Sequence, residues 1–311
     1  MSSRRPSSVT IREVGPRDGF QNEPEIIPTE EKIRLIDSLG RAGFKRIEVA
    51  SFVRPDVLPQ LADGVEVLKN VDVPDDVSLM VLIPNSKGLD NALQVREYFH
   101  EASIFVSSSE THNKKNINRT VAETMSDDNV MAKRILAEGL KLDAVIATSF
   151  GCPYEGRIPL DRVLGLAEQF AEFGATEIGF GDTTGMANPS YVADFFAAAL
   201  ERLPGVELTA HFHNTRGQGL ANAYSALEVG VSSFESSFGE LGGCPVPAGS
   251  TGNISTEDLV SMFEEMGVDT GLDLNRVIES AREAQAFLGR KLTSHSILAG
   301  PVDWTGTLAA H

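Results

Sequence analysis

The stretch LDAVIATSFGCPYEGRIPLDRVLGLAEQFAEFGATEIGFGD, residues 142–182, contains one complete structural unit of this chain. Its first nine residues, 142–150, are rich in apolar and β-branched side chains, as in a buried strand. Residues 159–174 place apolar side chains at helical spacing, and residues 175–182 again resemble a strand. A strand, a helix and a second strand in this order predict a unit with parallel strands.

The same alternation runs through most of the sequence. Amphipathic stretches such as residues 29–43 and 188–203 separate further strand-like runs. These runs are residues 9–15, 45–51, 77–83, 102–107, 206–213 and 231–238. With the two strands above they make eight, and eight β/α alternations in about 260 residues favour a closed (β/α)₈ TIM barrel.

An open doubly wound sheet is the alternative fold. It is typically marked by G-x-G-x-x-G after the first strand, and no such motif follows residues 9–15. We therefore expect a single α/β barrel domain over residues 1–311, with residues 272–311 as a C-terminal helical extension. Thr29 is expected to be the N-cap of the first helix, and Pro189 to follow an N-cap at Asn188.

Composition narrows the class of protein. The chain has 311 residues, of which 41% are hydrophobic and 23% charged, as in globular proteins. A net charge of −17 argues against nucleic-acid and anionic-membrane binding, although a local cationic or metal site can still hold an anion. Two cysteines, no secretory h-region and no apolar run of membrane-spanning length predict a cytoplasmic protein.

Chemically active side chains lie at or just after the ends of four predicted strands. In a TIM barrel these ends form the active-site face, and the opposite strand ends carry no comparable set. The set comprises Arg17, Asp18, Glu48, Asp182, His211 and His213. We therefore expect these side chains to converge at one mouth of the barrel.

The motif HFHN indicates a metal site. His211 and His213 are two residues apart in a strand, so they project to the same side. Asp18 follows strand 1, which only strand 8 separates from strand 7 in a closed barrel. One carboxylate and two neutral imidazoles suit a divalent metal, with Mg²⁺ or Mn²⁺ preferred and zinc or cobalt as alternatives. Polar strand-end residues satisfied by their neighbours are the competing interpretation.

Arg17 has two compatible interpretations. One is an ion pair with Glu48 or Asp182. The other is stabilisation of an enolate or carboxylate oxygen, because a planar guanidinium suits such oxygens.

The two cysteines differ in context. Cys152 directly follows a predicted strand and is interpreted as a small packed residue. Cys244 lies in GELGGCPVPAGSTGN, residues 239–253, whose glycines allow close approach to a ligand. A thiol there could exchange a proton with a carbon acid.

Six motifs occur along the chain: GPRDGFQNE (15–23), IEVASF (47–52), GCPYEGR (151–157), GDTTG (181–185), HFHNT (211–215) and the cysteine loop (239–253). Together they resemble the 3-hydroxy-3-methylglutaryl-CoA lyase family, in family order from about residue 9 to residue 291. Isopropylmalate and homocitrate synthases share the barrel and the His-x-His but have a Gly-Glu-Arg loop in place of GGCP.

The resemblance implies a metal centre and a set of catalytic residues. Asp18, His211 and His213 match metal ligands, and Asn253 matches a residue at or beside the metal. The residues that match catalytic or supporting roles are Arg17 at the enolate, Cys244 as the thiol, His211, and the acidic Glu48 and Asp182.

The resemblance also implies a reaction. A base, His211 or a metal-bound hydroxide, takes the proton of a tertiary alcohol in a 3-hydroxyacyl-CoA. The C–C bond then breaks, Arg17 stabilises the thioester enolate, and Cys244 protonates it. The products are acetyl-CoA and a keto acid, acetoacetate for methylglutaryl-CoA, as in leucine degradation. An acyl-CoA substrate and a homodimer are expected, without nucleic-acid or membrane partners.

Three departures affect the expected substrate. Val145 stands where the family commonly has Tyr, Gly179 where it has Ser, and Asn214 where it has Asp. The first two predict a larger and less polar acyl pocket. A 3-alkyl-3-hydroxyglutaryl-CoA or citramalyl-CoA is therefore an alternative substrate.

Two other functions remain open. One is an acetyl-CoA-condensing synthase or aldolase, against which the loop cysteine argues. The other is a metal-binding barrel without catalysis. The CoA phosphate site is not identified, and residues 111–119 and 289–291 are cationic clusters that could equally be solvated surface.

Overall fold

The computed structural model describes residues 5–243 and 252–305, and its eight strands form a closed barrel in chain order. All neighbouring strands are parallel, including the closing pair of β1 and β8. The strands are β1 Thr10–Glu13, β2 Arg46–Ser51, β3 Ser78–Leu82, β4 Glu101–Ser107, β5 Lys141–Ala147, β6 Glu177–Asp182, β7 Glu207–Phe212 and β8 Ser233–Ser236. The predicted TIM barrel is confirmed, and the open sheet is excluded.

Helices alternate with the strands and continue after β8. They are α1 Thr29–Arg41, α2 Gly64–Asn70, α3 Ser86–Ala92, α4 Glu110–Ile117, α5 Val121–Ala137, α6 Leu160–Glu172, α7 Pro189–Arg202, α8 Gly219–Val229, α9 Thr256–Glu265, α10 Leu274–Leu288 and α11 His295–Ala299. Helices α10 and α11 are the extra C-terminal helices predicted, and α10 packs against α1. None of the helices in the described ranges is long and apolar enough to cross a bilayer.

The helix starts confirm one predicted cap and correct the other. Asn188 accepts a hydrogen bond from the backbone N–H of Tyr191 at 3.1 Å, and Pro189 is the first residue of α7. Thr29 is already inside α1, whose N-cap is Pro28. The Thr29 hydroxyl donates instead to Asp63 at 2.8 Å, so a tertiary contact replaced the local cap.

The hydrophobic core lies between the strands and the surrounding helices. Phe150, Phe195, Phe196 and Phe212 are buried there, and the ring centroids of Phe150 and Phe195 are 4.6 Å apart. Outward-facing strand residues therefore supply the apolar burial that holds the helices to the barrel.

The lower part of the barrel's inner face is charged, where branched aliphatic residues are usual. Arg12 is 0% exposed and lies 2.5 Å from Glu235, 2.5 Å from Glu177 and 3.2 Å from Asp143. Arg46 is paired with Glu101 and Glu177 in the same interior. Buried charges are tolerated only when they are paired, and this network forms a polar floor beneath the mouth.

Candidate active site

A tight turn after β1 positions the first two site residues. The backbone N–H of Asp18 donates to the carbonyl of Val14 at 2.7 Å, within a single π-helical turn over Gly15–Gly19. A side chain at Gly15 would place its Cβ 2.4 Å from the ring of Phe238. Glycine is therefore required where the turn meets the segment after β8.

Arg17 lies between two carboxylates. Its guanidinium is 2.8 Å from Asp18 and 2.5 Å from Glu48, which is one of the two ion-pair partners expected from the sequence. Burial raises the pKa of Glu48 to about 7, although Arg17 opposes the shift. The arginine side chain is 14% exposed, so its charge faces the mouth of the barrel while it remains held on both sides.

The two histidines and Asp18 come together. β7 ends at Phe212, so His213 lies just beyond it, yet the rings of His211 and His213 have centroids only 5.1 Å apart. One potential ligand atom from each histidine and one from Asp18 all lie within 4.8 Å of one another. Burial opposes ionisation of Asp18, but Arg17 and the histidines hold its pKa at about 2, so this carboxylate is charged near neutral pH.

Asn253 joins this cluster from the other end of the cysteine loop. Its Nδ2 donates to Asp18 at 2.6 Å, and its backbone pairs with His213. Within the described residues its buried Oδ1 has no hydrogen-bond partner. Gly242 has φ +98°, and a Cβ there would lie 2.7 Å from the Asn253 amide, so glycine permits this close approach.

Glu235 was not among the residues predicted from the sequence. Its carboxylate lies 2.7 Å from Nδ1 of His211, and it also pairs with Arg12. Burial opposes its ionisation, but Arg12 and His211 hold the pKa of Glu235 below its ordinary range. The sequence signal that could have found Glu235 was its position in the strand-like run 231–238. That run forms β8, which neighbours β7, and Glu235 is in register with His211 on β7.

Asp182 lies at the end of β6 but faces the following loop. It accepts hydrogen bonds from the backbone N–H groups of Met186 at 2.7 Å and Ala187 at 3.1 Å. Burial raises its pKa to about 7, against those two hydrogen bonds. Its contacts thus hold the loop after β6, and Arg17 pairs with Glu48 instead.

The two cysteines are placed differently. Cys152 is fully buried, and its thiol donates to the Ser109 hydroxyl at 3.1 Å. Cys244 lies outside the described residues. Asn214, the third departure from the family pattern, lies within the described residues. Its Nδ2 donates to Glu240 at 2.6 Å, which connects the residue after His213 to the start of the 239–253 stretch.

Val145 and Gly179 are neighbours on adjacent strands. They are in register between β5 and β6, and a Cβ at Gly179 would lie 3.4 Å from Cγ2 of Val145. The two predicted pocket positions therefore form one continuous surface.

A cavity of about 560 Å³ opens beside the mouth, where β2 and β3 end. Its lining includes Ser51, which ends β2, and the cations Arg54, Lys69 and Lys87.

The two cationic clusters noted in the sequence each contain a paired arginine. In the cluster at residues 111–119, Arg119 forms an ion pair with Asp127, and in the cluster at residues 289–291, Arg290 forms an ion pair with Glu23.

The comparisons with known proteins agree over nearly the whole chain. The HMGL-like family model matches residues 8–283. Hydroxymethylglutaryl-CoA lyase YngG of Bacillus subtilis is 43% identical over 94% of this chain and 97% of its own length. The (R)-citramalyl-CoA lyase of Chloroflexus aurantiacus is 38% identical over 95% of this chain and 96% of its own.

A solved structure shows that the similarity extends to the fold. An HMG-CoA lyase from Acinetobacter baumannii, in complex with coenzyme A and 3-methylmalate, is similar with a TM-score of 0.91 and 39% identity, over 98% of this chain and 97% of that chain. Sequence and fold thus point to one group of enzymes, and the chain belongs to the HMGL-like family of TIM-barrel lyases.

Proposed function

We propose that this lyase cleaves a carbon–carbon bond in a 3-hydroxyacyl-CoA and releases acetyl-CoA and a keto acid. The observation that carries the proposal is the cluster of Asp18, His211 and His213 beside the guanidinium of Arg17. A metal-binding set next to a permanent cation suits a reaction in which negative charge develops on oxygen.

The donor atoms fit a divalent metal. A charged carboxylate, two imidazoles and the buried Oδ1 of Asn253 form a set of two oxygens and two nitrogens. When bound, the metal polarises substrate oxygens and stabilises the charge that develops on them. We propose Mg²⁺ or Mn²⁺, because oxygen ligands make up half of the set, with zinc or cobalt as alternatives.

Glu235 determines which nitrogen of His211 is available. Nδ1 faces the Glu235 carboxylate and carries the proton, so Nε2 presents its lone pair to the cluster. One lone pair cannot bind a metal and accept a proton in the same step. Glu48, whose pKa burial raises to about 7, is a buried carboxyl group beside Arg17, and we propose it as the proton acceptor if His211 serves as a metal ligand.

The hydroxyl proton goes to the base, the C2–C3 electron pair passes to C2, and C3 becomes a ketone. Arg17 stabilises the thioester enolate oxygen that results. Cys244 then gives its proton to C2, which completes acetyl-CoA, and the base returns a proton to the thiolate through solvent. Gly242, which precedes Cys244 by two residues in the sequence, passes close to the cluster, since a Cβ there would lie 2.7 Å from Nδ2 of Asn253 and 3.3 Å from Asp18.

The 560 Å³ cavity beside β2 is our proposed CoA site. Lys69 and Lys87 offer positive charge for phosphates, as does Arg54, which is paired with Asp56, and the cavity adjoins the strand that carries Glu48. Coenzyme A bound to the A. baumannii relative supports an acyl-CoA substrate here. We further propose that the enzyme is a cytoplasmic homodimer that acts in leucine degradation.

The named relatives leave two acyl groups for comparison, hydroxymethylglutaryl and (R)-citramalyl. The deciding experiment incubates the enzyme with each thioester and Mg²⁺ or Mn²⁺, and follows acetyl-CoA together with acetoacetate or pyruvate. We expect metal-dependent release of acetyl-CoA from at least one thioester. Metal-saturated enzyme that releases none from either would contradict the proposal, and net condensation of acetyl-CoA with a keto acid would favour the synthase alternative.

Glu235→Gln should weaken metal binding by about 10- to 100-fold, because the carboxylate that orients His211 is lost. Titration with Mn²⁺ followed by electron paramagnetic resonance measures this without turnover. Glu228→Gln, at an exposed position paired with Arg5, is the matched control and should bind Mn²⁺ normally. Glu235→Asp should recover part of the affinity. Equal Mn²⁺ affinity in Glu235→Gln, with an unchanged melting temperature, would refute the orienting role.

A further inference from the structure

The barrel mouth divides into a charged half and an uncharged half. β7, β8, β1 and β2 carry the histidines, Glu235, the Arg17 turn and Glu48. On β3 to β6, the upper positions of the inner face are uncharged. They are Leu82, Phe105, Ser107, Val145, Ala147, Gly179 and Gly181, which share the inner face by register with one another and with inward charged residues.

Four of these side chains form a surface that we call the apolar wall: Leu82, Phe105, Val145 and Ala147. All four are only partly buried, although they belong to barrel strands. They are also absent from the continuous hydrophobic core and from the apolar side chains packed against it, among the residues described. Phe105 in particular is a large aromatic side chain that remains only partly buried inside the barrel, which is typical of a ligand-binding surface.

The wall reaches the catalytic half of the mouth. Phe105 is in register with Val145, Val145 with Gly179, and Gly179 with Thr209 on β7, two residues before His211. A substituent on the carbon whose hydroxyl reaches the His211 cluster can therefore lie along the wall.

The polar floor beneath the apolar wall does not favour binding of a substrate carboxylate. Arg12 is paired with three carboxylates, and Arg46 with two. A substrate carboxylate turned toward this side would lose its hydration without gaining an unpaired cation among the described inner-face residues. The uncharged substituent of the acyl group is the one that suits this side.

We propose that the apolar wall binds an alkyl substituent on C3 of the 3-hydroxyacyl group and that it accepts chains longer than methyl. The inference rests on the proposed function and specifies its substrate class: thioesters with a tertiary C3 alcohol that carries an extended hydrocarbon chain. Gly179 adds space for such a chain, because it carries no side chain and a Cβ there would meet its nearest atom, Cγ2 of Val145, only at 3.4 Å.

The test is a homologous series of 3-hydroxy-3-alkylglutaryl-CoA thioesters with methyl, ethyl and propyl at C3. Each methylene that leaves water for the wall should raise kcat/KM about fourfold, from the usual free energy of burying a methylene. Wild-type enzyme should therefore prefer propyl to methyl. A steep fall in kcat/KM from methyl to propyl would overturn the inference.

Gly179→Ala tests the location of the chain. The added Cβ would lie 3.4 Å from Val145, which is an ordinary van der Waals contact, so the barrel should tolerate the substitution. The new methyl group would nevertheless fill part of the space beside the apolar wall. The propyl-to-methyl ratio should fall by about tenfold, and it should also fall in Val145→Thr, which keeps the shape but adds a hydroxyl.

Gly165→Ala is the matched control, because its Cβ meets nothing within 4 Å on α6. Its propyl-to-methyl ratio should equal that of the wild type. A ratio unmoved by both wall variants would place the alkyl chain elsewhere and refute the inference while leaving the lyase function intact. If no member of the series is cleaved, the proposed function itself has failed.

Discussion

Asp18→Asn should lower turnover by about 10³-fold or more and lower metal occupancy with it. The substitution keeps the shape of the side chain but removes the only carboxylate in the cluster with the two histidines, so the charge that attracts a divalent cation is lost. It also breaks the ion pair with Arg17 at 2.8 Å, which would leave that guanidinium held by Glu48 alone. Both metal content after dialysis and kcat/KM with saturating metal should be measured.

The matched control for that experiment is Asp76→Asn. Asp76 is an exposed surface aspartate whose partner is Lys45, so its loss should change neither quantity. His211→Ala should follow Asp18→Asn in both. Normal metal content together with wild-type turnover in Asp18→Asn and His211→Ala would show that the cluster is not the metal centre.

The barrel was predictable because its signal is periodic. Each strand must present apolar side chains to the surrounding helices, and runs such as residues 142–150 and 175–182 carry that pattern locally. The location of the candidate site followed from the same count, since residues that follow successive strands of a closed barrel must meet at one mouth. That reasoning placed Asp18 near His211 without any knowledge of distances.

The polar floor was not predictable by the same reasoning. Arg12 and Glu235 are 223 residues apart in the sequence, and their contact depends on the closure of β1 on β8. A charged residue inside a strand-like run can face solvent, a partner or the barrel interior, and local sequence does not distinguish these environments. The role of Glu235 beside His211 therefore required the register of the strands.

The predicted helix start at Thr29 shows the same limit on a smaller scale. Threonine is a common N-cap, but here its hydroxyl reaches Asp63, and Asp63 also pairs with Lys32. A contact across 34 residues outweighed a local preference of about 1 kcal/mol.

Cys244→Ser should fold normally and lose about 10² to 10⁴ in turnover, because a serine hydroxyl is far too weak an acid to protonate an enolate carbon as a thiol does. Cys152→Ser is the matched control within the chain. The Cys152 thiol is fully buried and donates to Ser109, so a serine there keeps the hydrogen bond and should leave kcat close to the wild-type value.

The two variants should be compared by kcat, by metal content and by exchange of solvent deuterium into the methyl group of acetyl-CoA. Cys244→Ser should retain its metal, while product release and deuterium exchange should both slow. If Cys152→Ser loses as much turnover as Cys244→Ser with its metal and fold intact, the assignment of the Cys244 thiol as the acid at C2 is contradicted.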